Sequence, residues 1–260
     1  MASSIASLRS KDADGGVALT NVPTTLSGRL LGVALLADSS PPRSHTHRYG
    51  KRLVTASLSI HTCPGTVAEG PARGHITRLL GDWPTIVSDA RIFAASGDLI
   101  ALGYATFIGL TPRERTLPLN DDSVTGPRPE LDEEGSRLAK SLCESWRWDG
   151  PAHGGSRMAI TPELRNRFGP MHGAAAHAAL SLLALALAQC PDGARMVPAE
   201  GADCVLDGRV RFLRPITSDD VEVTASVLRR SRGMVDVDCA IVRGTDDQLA
   251  TGQFAVRRHR

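Results

Sequence analysis

From Ala174 to Cys190 the chain is almost wholly alanine and leucine, and a helix built from this run has no polar face. These are the best helix formers, and Pro191 with Gly193 supplies a stop, so the run predicts one helix of about four to five turns. A helix that is apolar all round must be enclosed by protein or by lipid. Lipid fits poorly, because a span takes about 20 apolar residues. This run is shorter, carries His177, Ser181 and Gln189, and lacks flanking aromatic residues. The economical alternative is a curved antiparallel sheet wrapped round the helix, an α+β architecture.

The sequence after the helix supplies strands. Arg209 to Arg214 reads as a first strand, and Val221 to Val227 alternates apolar with polar, the period of a half-buried strand. After a turn at Arg229 to Gly233, Val235 to Ile241 alternates again, and Leu249 to Val256 returns beyond Asp246-Asp247. The first half runs in the same order: Leu53 to Ile60, an irregular piece from Gly74 to Leu80, Thr85 to Ala94, then Leu99 to Ile108 after Gly97-Asp98. Leu26 to Ala37 is the shorter counterpart of the long helix, and each helix follows a short strand candidate, Val17 to Leu19 and Arg157 to Ile160. Pro64 falls on Pro215 at an offset of 151 and Gly103 on Gly252 at 149, so the order of elements repeats even where identities are few. Residues 113–135, rich in proline and acid, read as a linker between a unit at 1–112 and a unit at 136–260, with a helix from Ser136 to Trp148 opening the second.

With 260 residues, each half is long enough to bury a core. The formal charge of +2 argues against a dedicated nucleic-acid binder. Five scattered cysteines without a Cys-x-x-Cys pair suit a reducing compartment, and residues 1–16 show no apolar leader, so the expectation is a cytoplasmic protein with no membrane association.

Asn166-x-x-Gly169-x-x-His172-Gly173-Ala174 resembles the Asn-x-x-Gly-x-x-His-Gly-Gly signature of hotdog-fold acyl-CoA thioesterases of the phenylacetate-degradation (PaaI-like) type, and Arg209 to Pro215 is similar to the segment after their helix. The likeness runs from about Ser156 to Val256 and is only architectural over the first half. It implies a tandem double hotdog, which could itself pair into a homodimer. It further implies a thioester of coenzyme A or a carrier protein, fatty or aromatic, lying between the units, with coenzyme A as part of the substrate and no separate cofactor or metal. In such a site the Gly173 amide would face the carbonyl oxygen, Asn166 would position the water or the motif loop, and His172 would hold that loop. The first helical amides lack partners inside the helix and the dipole there favours an oxyanion, which gives the assignment an independent physical ground.

One position departs from the family. Where it carries an Asp or Glu nine residues after the histidine, this chain has Ser181, and His177 lies one turn earlier on the same side of the helix. The pair either activates water or is a helical serine bonded back to a carbonyl beside a core histidine. Laid over the second unit, the first has Ser27-Gly28 at the motif and Leu36 at the acid position, with Asp38 as an outside candidate.

A missing acid leaves a non-catalytic acyl-thioester-binding protein as the alternative to hydrolysis. A hotdog dehydratase or hydratase ranks below both, since Phe93 to Asp98 lacks the Asn-Pro-x-His that would follow. Arg211, Arg214 and Arg230 could hold the phosphates of coenzyme A or simply serve solubility. Trp83, Trp146 and Trp148 could line an acyl pocket or anchor a core, and His45-Thr-His47 has metal-like spacing without acidic or cysteine neighbours.

Overall fold

The alanine- and leucine-rich run forms helix α1, Gly173–Gln189, whose first intrahelical bond runs from the Ala176 N–H to the His172 carbonyl at 3.1 Å. Apart from Leu182, Leu187 and Gln189, which are half-buried, every residue of α1 is buried. The computed structural model describes residues 7–11, 16–20, 52–63, 72–82, 84–94, 96–110, 140–142, 144–148, 155–166, 169–189, 204–244 and 246–258. Among these, no helix is long and apolar enough to cross a membrane.

The described residues form twelve strands: β1 (Ser7–Lys11), β2 (Gly16–Thr20), β3 (Arg52–Thr62), β4 (Ala72–Asp82), β5 (Thr85–Phe93), β6 (Leu99–Leu110), β7 (Trp146–Trp148), β8 (Gly155–Ala159), β9 (Cys204–Phe212), β10 (Asp220–Ser231), β11 (Met234–Arg243) and β12 (Asp247–Arg257). They form one sheet in the order β1-β2-β4-β5-β6-β3-β9-β12-β11-β10-β8-β7, with every pairing antiparallel. Read outward from the join of β3 and β9, both halves run in the same order of strands, third, sixth, fifth, fourth, second, first. The join pairs Ser57 with Arg211 through to His61 with Asp207, and the Thr62 hydroxyl donates to the Val205 carbonyl at 2.6 Å. Helix α1 packs on β9, β10, β11 and β12 and reaches across the join to β3.

Strand alternation sorts the side chains into two faces. Val210, Val237, Cys239, Ile241 and Phe254 are buried on the α1 face, joined there by Leu58 and Ile60 from β3. Gly208 and Gly252 lie among them, and a Cβ on either would stand 2.6–2.7 Å from the Phe254 ring, so the ring occupies the space two side chains would fill.

Cys239 faces α1, its Sγ 3.8 Å from the Leu180 carbonyl, and burial pushes the thiol far above its ordinary range while the Asp238 charge pushes the same way. The native state thus holds this proton after the unfolded chain has released it. The resulting stability is complete below about pH 8.5 and declines above it, by up to about 1.4 kcal/mol per pH unit. Urea titrations between pH 8 and 10 should show a shallower alkaline loss for Cys239→Ala than for the wild type; parallel curves would disprove this.

Several expectations are corrected. The piece from Gly74 to Leu80 is the interior of the eleven-residue β4, not an irregular segment, and a register shift between Arg78 and Leu80 hides its period. Trp146–Trp148 forms β7 against β8 instead of ending a helix; the helical residues before it include Lys140 to Leu142, Glu144 and Ser145. Ser7–Lys11, not expected as a strand, is β1. The helix expected over Leu26 to Ala37, Asp38, the linker 113–135, Trp83, His45 and His47 lie outside the described residues.

Candidate active site

The motif is a loop that delivers the chain into α1. After a 3-10 turn at Pro162–Leu164, Arg165 pairs with Met171 as an isolated bridge. Between them the Asn166 N–H donates to the Pro170 carbonyl at 2.8 Å and the Gly169 N–H to the Asn166 carbonyl at 3.0 Å. Gly169 has φ +96°, a left-handed conformation that costs an L side chain about 1–2 kcal/mol. Nothing lies within 4 Å of a Cβ placed there, so Gly169→Ala should lower stability by about that backbone penalty alone. A melting temperature equal to the wild type would refute this.

Two backbone bonds then dock the loop: the Met171 N–H donates to Ile216 O at 2.8 Å and the His172 N–H to Leu164 O at 2.7 Å. His172 is the N-cap of α1, and its Nδ1 accepts the Ala174 N–H at 3.3 Å. Only an imidazole without a proton on Nδ1 can accept, so this bond selects the neutral ring protonated on Nε2.

Gly173, the first helical residue, is buried, and its N–H meets no acceptor among the described residues. A buried donor left without an acceptor costs about 1–3 kcal/mol, which a bound oxygen would recover. No acidic residue stands in the first turn to neutralise the helix dipole. The helix entrance is therefore arranged to receive a partial negative charge.

The other expected residues fall elsewhere. His177 and Ser181 are together in the core, 0 % and 1 % exposed. His177 Nε2 lies 3.2 Å from the Gly208 carbonyl, which can only accept, so Nε2 carries the proton and Nδ1 faces Ser181 Oγ at 3.2 Å. The Ser181 hydroxyl also lies 2.8 Å from the His177 carbonyl, so its one proton is shared between that carbonyl and Nδ1, and Phe254 meets the imidazole edge-on with centroids 5.6 Å apart. Both side chains are thus satisfied without a ligand. Ser181 is eight residues beyond Gly173, about 12 Å further along the axis.

The three arginines are dispersed. Arg211 is exposed on the face of β9 opposite α1, because its neighbour Val210 is buried on the inner one. Arg214 donates to Asp247 at 2.7 Å, a carboxylate also held by Arg243, and Arg230 donates to the Leu187 carbonyl in the last turn of α1, at the end remote from Gly173. The residue missed from the sequence is Arg165. Its guanidinium donates to the carbonyls of Gly169 (3.0 Å), Thr217 (3.2 Å) and Ser218 (3.0 Å) and to Asp219 Oδ1 (2.9 Å). No sequence spacing announces it, since three of its four acceptors are backbone carbonyls and three lie more than fifty residues away.

Phe93 to Asp98 is a strand end and tight turn, with the Ala94 N–H donating to Asp98 O at 2.8 Å and Gly97 at φ +90°.

Residues 168–250 match the model of the thioesterase superfamily. No curated protein matches the chain. Among solved structures, a tesB protein from Mycobacterium avium subsp. paratuberculosis aligns over 97 % of this chain and 96 % of its own with TM-score 0.60 at 15 % identity. A protein of unknown function described as having a hot dog fold, from Alicyclobacillus acidocaldarius, aligns over the same shares with TM-score 0.55 at 15 % identity. The fold is the hotdog. An acyl-CoA thioesterase II from Mycobacterium marinum also aligns over 97 % of this chain and 96 % of its own, with TM-score 0.58 at 14 % identity. In hotdog terms, α1 is the central helix and β8 to β12 are the strands around it. The family match begins in the motif loop and ends in β12, so it contains the helix entrance with its open amide.

Proposed function

We propose that the chain is a thioester hydrolase made of two hotdog units in tandem, residues 1–112 and 136–260, and that the Gly173 amide receives the carbonyl oxygen of the substrate. The observation that carries this reading is the buried Gly173 N–H at the entrance of α1, which has no acceptor among the described residues. An oxyanion forming there gains a hydrogen bond and the helix dipole together, an interaction stronger in the transition state than with the ground-state carbonyl. The match of residues 168–250 to the thioesterase superfamily and the likeness to an acyl-CoA thioesterase II support an acyl thioester as the substrate. Coenzyme A or a carrier protein would be its thiol half.

Geometry restricts what activates the water. A water that attacks the carbonyl and the group that takes its proton both lie within a few ångströms of the reacting carbon. Ser181, about 12 Å along the same helix from Gly173, is too far to serve that carbonyl, and its hydroxyl and His177 are already satisfied. We assign this pair to fixing α1 on β9, and the proton acceptor to a group outside α1. Asp38, the sequence candidate in the first unit, is tested by Asp38→Asn.

The same satisfied pair is the observation that favours a second reading, an acyl-thioester-binding protein that keeps the entrance and lacks the acid. Purified protein assayed on a panel of acyl-CoAs of varied chain length and aromaticity separates the two. Hydrolysis lost in Gly173→Pro supports the first. Saturable binding of acyl-CoA by the wild type, with no hydrolysis of any member of the panel, would establish the second.

A further inference from the structure

We infer that Arg165 is a positioning residue for the Gly173 amide: its guanidinium locks the motif loop to the connection between β9 and β10, and so fixes where the amide points. This rests on the reading of Gly173 as the carbonyl-binding group.

The segments 165–172 and 213–219 are tied by the Met171 N–H, which donates to the Ile216 carbonyl, and by Arg165, which donates to Thr217, Ser218 and Asp219. One arm of the guanidinium takes Gly169 O from the loop and Thr217 O from the connection, and the other takes Ser218 O and Asp219 Oδ1. A planar fork with fixed donor directions can meet four acceptors at once, whereas an ammonium at the end of a flexible stem cannot hold the same set.

The motif itself is built to serve this fork. Asn166 and Gly169 close the turn with the 3.0 Å bond between them, and the left-handed φ at Gly169 turns its carbonyl to where the arginine reaches it. The glycine of the motif thereby acquires a role that does not require it to touch substrate. The loop ends at His172, whose amide and imidazole both bond to neighbouring backbone, and the next residue carries the open N–H. Displacement of the loop by an ångström therefore moves the donor by as much, and an oxyanion donor loses most of its effect over that distance. The Arg165 side chain is 20 % exposed while Asp219 is fully exposed, so three of the four contacts are to backbone groups of the protein and do not depend on a surface ion pair.

The test compares Arg165→Met and Arg165→Lys with the wild type, with Arg257→Met, the loss of an exposed arginine at the end of β12, as the control for charge. Amide hydrogen exchange is read for peptides covering 166–176 and for peptides of β10 to β12, and kcat and KM are measured on the best acyl-CoA of the panel. In both Arg165 variants, exchange at 166–176 should rise at least tenfold with β10 to β12 unchanged, and kcat should fall tenfold or more with KM within about threefold. Lysine should fail to rescue. Unchanged exchange at 166–176 in Arg165→Met overturns the clamp. Faster exchange with wild-type kcat overturns the positioning role. If the wild type hydrolyses nothing in the panel, the hydrolytic reading fails, while the exchange arm still supports or overturns the clamp by itself.

Discussion

Gly173→Pro should lower kcat/KM for the preferred thioester by roughly 10²–10³-fold, the loss measured when one oxyanion donor is removed elsewhere. Proline at the first helical position deletes the N–H and keeps the fixed φ that the helix needs, so α1 should still form. Its ring adds bulk at a buried position. Gly173→Ala, which adds a smaller group and keeps the N–H, is therefore the companion variant. Far-ultraviolet circular dichroism and melting temperature should place both variants close together, and only the proline variant should lose turnover. Equal losses in the two would assign the effect to bulk at the entrance, and equal activity in all three would remove Gly173 from the chemistry.

Gly208→Ala should destabilise the protein by about 1–3 kcal/mol, the usual cost of forcing extra volume into a packed core. The new methyl would lie 2.6 Å from Phe254 Cδ1 and 3.3 Å from His177 Cε1. Neither ring can retreat freely. Phe254 is 2 % exposed and lies against Gly252 as well, and His177 is tied to the Gly208 carbonyl itself. Combining the change with Phe254→Leu should recover part of the loss, because the smaller side chain vacates the contested space. Chemical denaturation of the four members of this cycle measures the coupling, and strict additivity would show that the ring is not the obstacle.

Much of the architecture could be read from residue patterns. The Ala/Leu run set the helix within a residue at each end, alternation located β10 and β11 because each buries one face, and turn residues with the repeated order of elements located β5, β6 and β12. Patterns failed where burial was not periodic. In β4 a bulge breaks the alternation, and β1 and β7 are short outer strands whose partners, not their composition, make them strands. For the site, the motif pointed to the helix entrance, since a small residue before an apolar helix says that backbone must stay accessible. It could not reveal the fork of Arg165, which binds carbonyls that every sequence possesses. Nor could it decide between the two readings of His177 and Ser181, because residues one turn apart share a side of a helix in either case.

The pairing of β3 with β9 also bears on the order in which the chain assembles. Hairpins such as β5 with β6 and β11 with β12 close over a few residues, while the Thr62 hydroxyl and the Val205 carbonyl are 143 residues apart. Local ladders therefore form early, and zipping the two inner edges comes late and slowly. Until it does, each half presents an unpaired strand bearing apolar residues, Leu58 and Ile60 on one and Val205 and Val210 on the other. Produced separately, either half should self-associate through that edge, and co-expression of the two should suppress the aggregation by giving each the strand it lacks.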